Sequence, residues 1–205
     1  MTPMPPLALA GQAVFAAYVA GFLLLTWRMA RTSGTDPWLF ARASGVQRWT
    51  ALAFRLGFAL LAALPLLRLV LPRAPEAVAA WPAVLGWLGL LLAVAGAGLA
   101  LRAQAHMGAS WRIGAAEGSL GRLVSDGPFA WSRNPVFLGQ IVLVWGVALG
   151  GDPVAAILAL VVTAAAVVQV AVEERVTDAG LGPEYAAYRA RVNRWLGRRR
   201  AGRAG

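Results

Sequence analysis

The chain has no cysteine, no lysine and a single histidine, and only nine of its 205 residues are acidic. Without cysteine, neither disulfides nor thiolate chemistry are available. One histidine supplies no ligand set for a transition metal, so we expect no metal site. All 19 basic residues are arginine, which gives a net charge of +10. In a soluble protein such a charge would point to nucleic acid.

Hydrophobic residues make up 59% of the chain, and charged residues only 14%. This balance predicts an all-α polytopic membrane protein, with residues 1–205 as a single membrane domain. The predicted spans are 7–27, 49–71, 81–101, 135–150 and 153–172. The fourth span has 16 residues and would extend only about 24 Å, slightly less than the hydrocarbon thickness. Because no charged region precedes it, we expect the first span to be retained and not cleaved.

Arginine is distributed unevenly between the polar connections. Four arginines lie in 28–48, four in 102–134 and eight after Glu174, whereas Arg73 stands alone after the second span. Because cytoplasmic loops carry the arginine excess, the N-terminus is predicted outside, and 102–134 and 173–205 are predicted to be cytoplasmic catalytic segments. This excess accounts for the net charge, so we expect no nucleic-acid partner. The arginine-only, alanine-rich composition favours a bacterial inner membrane.

Rare polar residues bracket the hairpin formed by the last two spans. Arg133 and Asn134 precede its first arm, and Glu173 and Glu174 follow its second. Ionisable groups beside hydrocarbon are functional candidates by default. Asparagine before proline can also be an ordinary helix cap, which by itself would explain Asn134.

A further helix is predicted beyond Pro183, lying on the membrane surface. Its apolar face would present Tyr185, Tyr188, Val192 and Trp195, which are three or four residues apart. Such a helix could cover the cytoplasmic ends of the hairpin.

Taken in order, these motifs form a recognisable series. They are Gly127-Pro128-Phe129, Arg133-Asn134-Pro135-Val136-Phe137-Leu138-Gly139, Glu173-Glu174, Gly182-Pro183-Glu184-Tyr185-Ala186-Ala187-Tyr188 and Arg191-Val192-Asn193-Arg194. From about residue 85 to 197 the chain resembles the integral membrane methyltransferases that include isoprenylcysteine carboxyl methyltransferases and bacterial phospholipid methyltransferases. It departs from that pattern where Asn134 replaces a histidine, Phe137 a tyrosine and Thr177 a leucine.

The resemblance implies S-adenosylmethionine as cofactor and a set of residues that bind it. The implied cofactor-binding residues are Arg133, Asn134, Pro135, Phe137, Gly139, Glu173, Glu174, Tyr185 and Tyr188. Arg133 and Glu174 are the implied catalytic residues. Arg133 and the helix start after it would hold the cofactor carboxylate, and a glutamate its ammonium or ribose. Adjacent helical residues point about 100° apart, so only one glutamate is expected to face the pocket.

The methyl acceptor is expected to be lipophilic and to enter from the bilayer, as an isoprenoid or fatty carboxylate or a lipid amine. A small-thiol S-methyltransferase of the same family and a non-enzymatic membrane scaffold are the alternatives. A transporter is disfavoured because the centres of the spans are nearly uncharged. Membrane lipids are expected partners in each case.

Overall fold

The computed structural model describes residues 4–34, 45–70, 81–111, 113 and 122–198. This part of the chain is helical, which confirms the all-α prediction. Its helices are α1 (Pro6–Ser33), α2 (Gly45–Val70), α3 (Ala83–Met107), α4 (Pro135–Ala148), α5 (Pro153–Leu181) and α6 (Pro183–Arg191). Short 3₁₀ turns cover Gly108–Ser110 and Gly127–Ala130.

Four helices of the described part, α1, α2, α3 and α5, are long and apolar enough to cross a membrane. Many of their large hydrophobic side chains are exposed, as lipid-facing residues are. The predicted fourth span forms the shorter helix α4, whose 14 residues extend about 21 Å. A fifth crossing therefore stays a prediction. α5 has 29 residues and continues beyond its apolar part, so it carries Glu173 and Glu174 past the predicted membrane boundary.

Small residues bring α3 and α4 into backbone contact. Gly89 and Gly96 of α3 face Gly146 and Gly139 of α4, in antiparallel order and seven residues apart in each helix. A Cβ added to Gly139 would lie 2.6 Å from the Gly96 carbonyl oxygen, and one on Gly146 would lie 2.6 Å from the Gly89 oxygen. Close packing of this kind is how helices associate without a hydrophobic driving force between them.

The turn between α4 and α5 is fastened to α2. Asp152 accepts a hydrogen bond from the backbone N–H of Val154 at 3.0 Å and so caps α5. The same carboxylate forms a bidentate ion pair with Arg68, with N–O distances of 2.8 and 2.7 Å. Trp81 donates its indole N–H to the Leu149 carbonyl at 2.9 Å. These contacts fix the tip of the hairpin, and with it the direction in which α5 returns.

The tail does not form one continuous helix, so the prediction of a helical face reaching Trp195 is wrong. α6 ends at Arg191, and the chain then turns back on itself, with an antiparallel bridge between Val192 and Arg198. The turn is closed by Gly197, whose φ of 98° lies in the left-handed region that favours glycine.

Candidate functional site

The α4–α5 hairpin brings its two polar ends together. The guanidinium of Arg133 donates from Nε to Glu174 Oε1 at 3.1 Å and from Nη2 to both carboxylate oxygens at 3.0 Å. Both side chains are buried, with exposed fractions of 4% and 10%. Removing one partner of a buried pair commonly costs about 3–5 kcal/mol, because the other charge is left uncompensated.

Asn134 directs its side chain to the same carboxylate. It occupies the N-cap position of α4 but makes no capping hydrogen bond with its side chain. Its amide Nδ2 instead donates to Glu174 Oε1 at 2.9 Å and to the Arg194 carbonyl at 3.3 Å. The interpretation of Asn134 as a helix cap is therefore wrong, because its amide group is used across the hairpin.

Arg194 completes the group and was not among the predicted site residues. Its Nε and Nη2 donate to Glu174 Oε2 at 3.0 and 2.8 Å. Its side chain is 45% exposed, in contrast to that of Arg133. The signal in the sequence was the last motif, Arg191-Val192-Asn193-Arg194, which ends at this residue. Below, the Glu174 cluster means Arg133, Asn134, Glu174 and Arg194.

Backbone hydrogen bonds hold the tail against the segment that precedes α4. Arg133 donates its N–H to the Asn193 carbonyl at 3.1 Å, and Gly197 donates to the Trp131 carbonyl at 2.7 Å. Arg133 Nη1 also donates to the Val192 carbonyl at 2.8 Å. The turn after α6 therefore positions Arg194 over Glu174.

Tyr185 and Tyr188 lie buried on α6 beside the cluster, with ring centroids 6.0 Å apart. Tyr188 donates its hydroxyl to the Phe129 carbonyl at 2.7 Å. Burial, together with the nearby Glu174 carboxylate, raises the pKa of Tyr185 to about 12. Burial also raises the pKa of Tyr188. Both phenols are therefore neutral at physiological pH.

Glu173 points away from the cluster, towards α2. Its carboxylate accepts a hydrogen bond from Gln169 Nε2 at 2.9 Å, and Gln169 Oε1 in turn accepts from Thr50 at 2.6 Å. The two adjacent glutamates thus have different surroundings. Glu174 has two arginines as partners, whereas Glu173 continues a chain of neutral polar groups.

The remaining predicted residues lie along the first turns of α4. Pro135 is its first residue and is buried. The ring of Phe137 lies 5.8 Å from that of Phe54, and Gly139 packs against the backbone of α3. The structure therefore surrounds Phe137 and Gly139 with other helices, and their role in cofactor binding stays a prediction. In the described ranges, no three histidine, cysteine, aspartate or glutamate residues are grouped as metal ligands.

Comparison with known families gives a match over the part of the chain that contains this geometry. Residues 84–184 match the profile of the phospholipid methyltransferase family. The chain belongs to that family. Its members are S-adenosylmethionine-dependent methyltransferases of membranes, and the chain is therefore a methyltransferase.

The match to the family includes both Arg133 and Glu174 and ends just before Tyr185. Arg194 lies beyond it, so its place in the cluster is known only from the structure. The comparisons with curated proteins and with solved structures give no match.

Proposed function

We propose that this chain transfers a methyl group from S-adenosylmethionine, bound at the Glu174 cluster, to a lipophilic acceptor that enters from the bilayer. The observation that carries the proposal is that two arginines and an asparagine converge on one carboxylate at the open end of the α4–α5 hairpin. Family membership supports the cofactor and a lipid acceptor. The charges and position of the Glu174 cluster support our choice of it as the cofactor-binding site.

The charge of the cluster suits the amino-acid part of the cofactor. Two guanidinium groups face one carboxylate, which leaves a surplus positive charge to attract the cofactor carboxylate. The first turn of α4 has no side-chain cap, and its backbone N–H groups favour an anion. We assign the carboxylate to Arg194, because its half-exposed side chain can turn towards a ligand without opening the buried Arg133–Glu174 pair. Glu174 is the partner for the ammonium group.

The reaction requires positioning more than proton chemistry. When bound, the cofactor would supply an electrophilic methyl carbon, which the acceptor would take while the sulfur leaves as a neutral thioether. The protein must hold the two reacting atoms in line, about 3–3.5 Å apart. Glu174 is a poor base because two guanidinium groups stabilise its ionised form. A carboxylate acceptor needs no base. An amine acceptor has to lose a proton, and we assign this proton to Glu173, which has no arginine partner among the described residues.

The proposed orientation places the Glu174 cluster in the cytoplasm, where the cofactor can reach it. It rests on the arginine excess of the connections and tail on that side. The Arg68–Asp152 end of the bundle then lies at the external surface. The acceptor would approach sideways from the lipid.

A methyl-transfer assay tests the function. Purified protein in lipid nanodiscs would receive S-adenosylmethionine labelled in its methyl group, together with a fatty acid or phosphatidylethanolamine. We expect label in the organic phase, and at least a tenfold loss in Arg194→Gln. Arg28→Gln, which changes an exposed arginine of α1, is the matched control and should behave as wild type. Label that appears only on an added small thiol would contradict the lipophilic acceptor.

A further inference from the structure

A groove of about 450 Å³ lies between the last turns of α3 and the segment leading into α4. Its apolar walls are formed by Leu99 of α3, Trp131, Pro135 and Leu138, and by Leu196 of the tail turn. Trp131 and Leu196 are 59% and 69% exposed. The groove is therefore an open apolar surface at the end of the bundle where the Glu174 cluster lies.

Among the described residues that line the groove, Arg102 is the only charged one. Its side chain is exposed and has no hydrogen-bond or ion-pair partner among the residues that the structure describes. Arg133 and Arg194, in contrast, both form ion pairs with Glu174. An arginine without a partner beside apolar walls favours a ligand that combines an anionic group with hydrocarbon.

The wall opposite α3 is held in place by specific contacts. His106, one turn beyond Arg102, has its Nε2 2.9 Å from Asp126 Oδ1. A Cβ on Gly127 would lie 2.7 Å from the His106 ring, and its φ of 53° also favours glycine. The contact keeps the Asp126 carboxylate at His106, so it does not pair with Arg102.

The groove and the proposed cofactor site share a short stretch of backbone. Ser132 and Pro135 line the groove, and the two residues between them, Arg133 and Asn134, contact Glu174. Ser132 Oγ also accepts the backbone N–H of Asn134 at 3.1 Å. A molecule in the groove would therefore lie next to the cofactor.

We propose that the groove binds the lipid acceptor as an amphiphile with an anionic group, a phosphate or a carboxylate. The anionic group pairs with Arg102, and the hydrocarbon lies against Leu99, Leu138 and Leu196. The role as acceptor rests on the proposed function, whereas the binding of the amphiphile does not. The cofactor itself fits less well, because no described residue lining the groove is acidic and could hold its ammonium group.

Native mass spectrometry of the full chain tests this binding without any cofactor. The protein would be released from micelles that contain diacylglycerol, which has no anionic group, with an equal amount of either phosphatidic acid or oleic acid. We expect one anionic lipid to be retained in preference to diacylglycerol. The two mixtures show whether the phosphate or the carboxylate is the better ligand.

Three variants make the test specific. Arg102→Gln should reduce retention of the anionic lipid at least tenfold, whereas Arg28→Gln should not change it. Leu99→Trp keeps the charge but fills the groove, and should also reduce retention. Equal retention in wild type and Arg102→Gln would overturn the proposal, as would equal losses in Arg102→Gln and Arg28→Gln.

A parallel titration with S-adenosylhomocysteine separates the two sites. Arg102→Gln should bind it as wild type does. If this variant instead loses S-adenosylhomocysteine while keeping the anionic lipid, the groove belongs to the cofactor and the proposal fails. Lipid retention without methyl transfer would contradict the proposed function alone.

Discussion

Arg133 and Glu174 are 41 residues apart in the sequence, yet Arg133 Nη2 lies 3.0 Å from each of the two carboxylate oxygens. The pair joins the start of α4 to the polar end of α5 and closes the hairpin where the tail turn covers it. The same carboxylate also binds Asn134 and Arg194. One acidic residue therefore organises three segments that are distant in the sequence.

Substitutions of Asn134 distinguish a helix cap from a member of the Glu174 cluster. Asn134→Ala removes a hydrogen bond to a charged group and should lower the free energy of unfolding by about 1.5–3 kcal/mol. Asn134→Asp should be worse, because it directs a second carboxylate at Glu174 and at the Arg194 carbonyl. Thermal denaturation in detergent measures both. Aspartate and asparagine are equally good caps, so an aspartate variant more stable than the alanine variant would restore the capping interpretation.

Asn134→His introduces the residue usual in the family. An imidazole N–H can donate to Glu174 as the amide does, so we expect this variant to fold and to bind S-adenosylhomocysteine within about threefold of wild type, a difference of about 0.6 kcal/mol. Calorimetry on the purified variant checks this. A larger loss would show that the site is shaped for asparagine.

Gly139→Ala tests the contact between α3 and α4. The added methyl group would lie 2.6 Å from both the Ala100 nitrogen and the Gly96 oxygen, so the helices must separate. Overpacking of this kind costs about 1–3 kcal/mol. Gly98→Ala is the matched control, since its Cβ meets nothing within 4 Å. Equal melting temperatures for the two variants would show that α3 and α4 are not in backbone contact at Gly139.

Breaking the Arg68–Asp152 pair should affect stability but not the cofactor. Asp152→Ala leaves Arg68 without its bidentate partner and removes the α5 cap, so we expect a loss of about 3–5 kcal/mol. Because the pair is at the hairpin tip, the folded fraction at low temperature should bind S-adenosylhomocysteine normally. A selective loss of affinity in a variant that melts like wild type would show that the tip is coupled to the site.

The burial of Tyr185 predicts the pH at which its hydroxyl ionises. Burial raises the pKa of Tyr185 from about 10 to about 12, so the folded state keeps a proton that the unfolded state loses. The associated stability is complete below pH 10 and is lost as the pH rises towards 12. Absorbance at 295 nm should show Tyr185 ionising near pH 12, identified by comparison with Tyr185→Phe. Ionisation of this residue near pH 10 in folded protein would contradict its burial.

Hydropathy was sufficient to predict α1, α2, α3 and α5, because each helix contains a long apolar run. It could not predict that Arg68 pairs with Asp152, which is 84 residues away in the sequence. The prediction of a continuous helix in the tail was wrong for a similar reason. Its helical spacing continues to Trp195, but Gly197 and hydrogen bonds to Trp131 and Arg133 favour a turn.

The candidate site was predicted in outline from the order of its motifs. The sequence predicted that Arg133 and the two glutamates share one end of the hairpin, but not that Arg133 and Glu174 contact each other directly. Arg194 was recognised only as part of a motif. Long-range polar contacts of this kind depend on how the helices pack, which no local pattern determines.

The most direct test of the account is calorimetric titration of the purified wild-type protein, Glu174→Gln and Glu173→Gln with S-adenosylhomocysteine. Circular dichroism would first establish that all three are folded. We expect wild type to bind, Glu174→Gln to bind more than tenfold more weakly, a loss of at least about 1.4 kcal/mol, and Glu173→Gln to stay close to wild type. Wild-type affinity in folded Glu174→Gln would contradict the account, because the cluster would then be only a structural link between two helix ends.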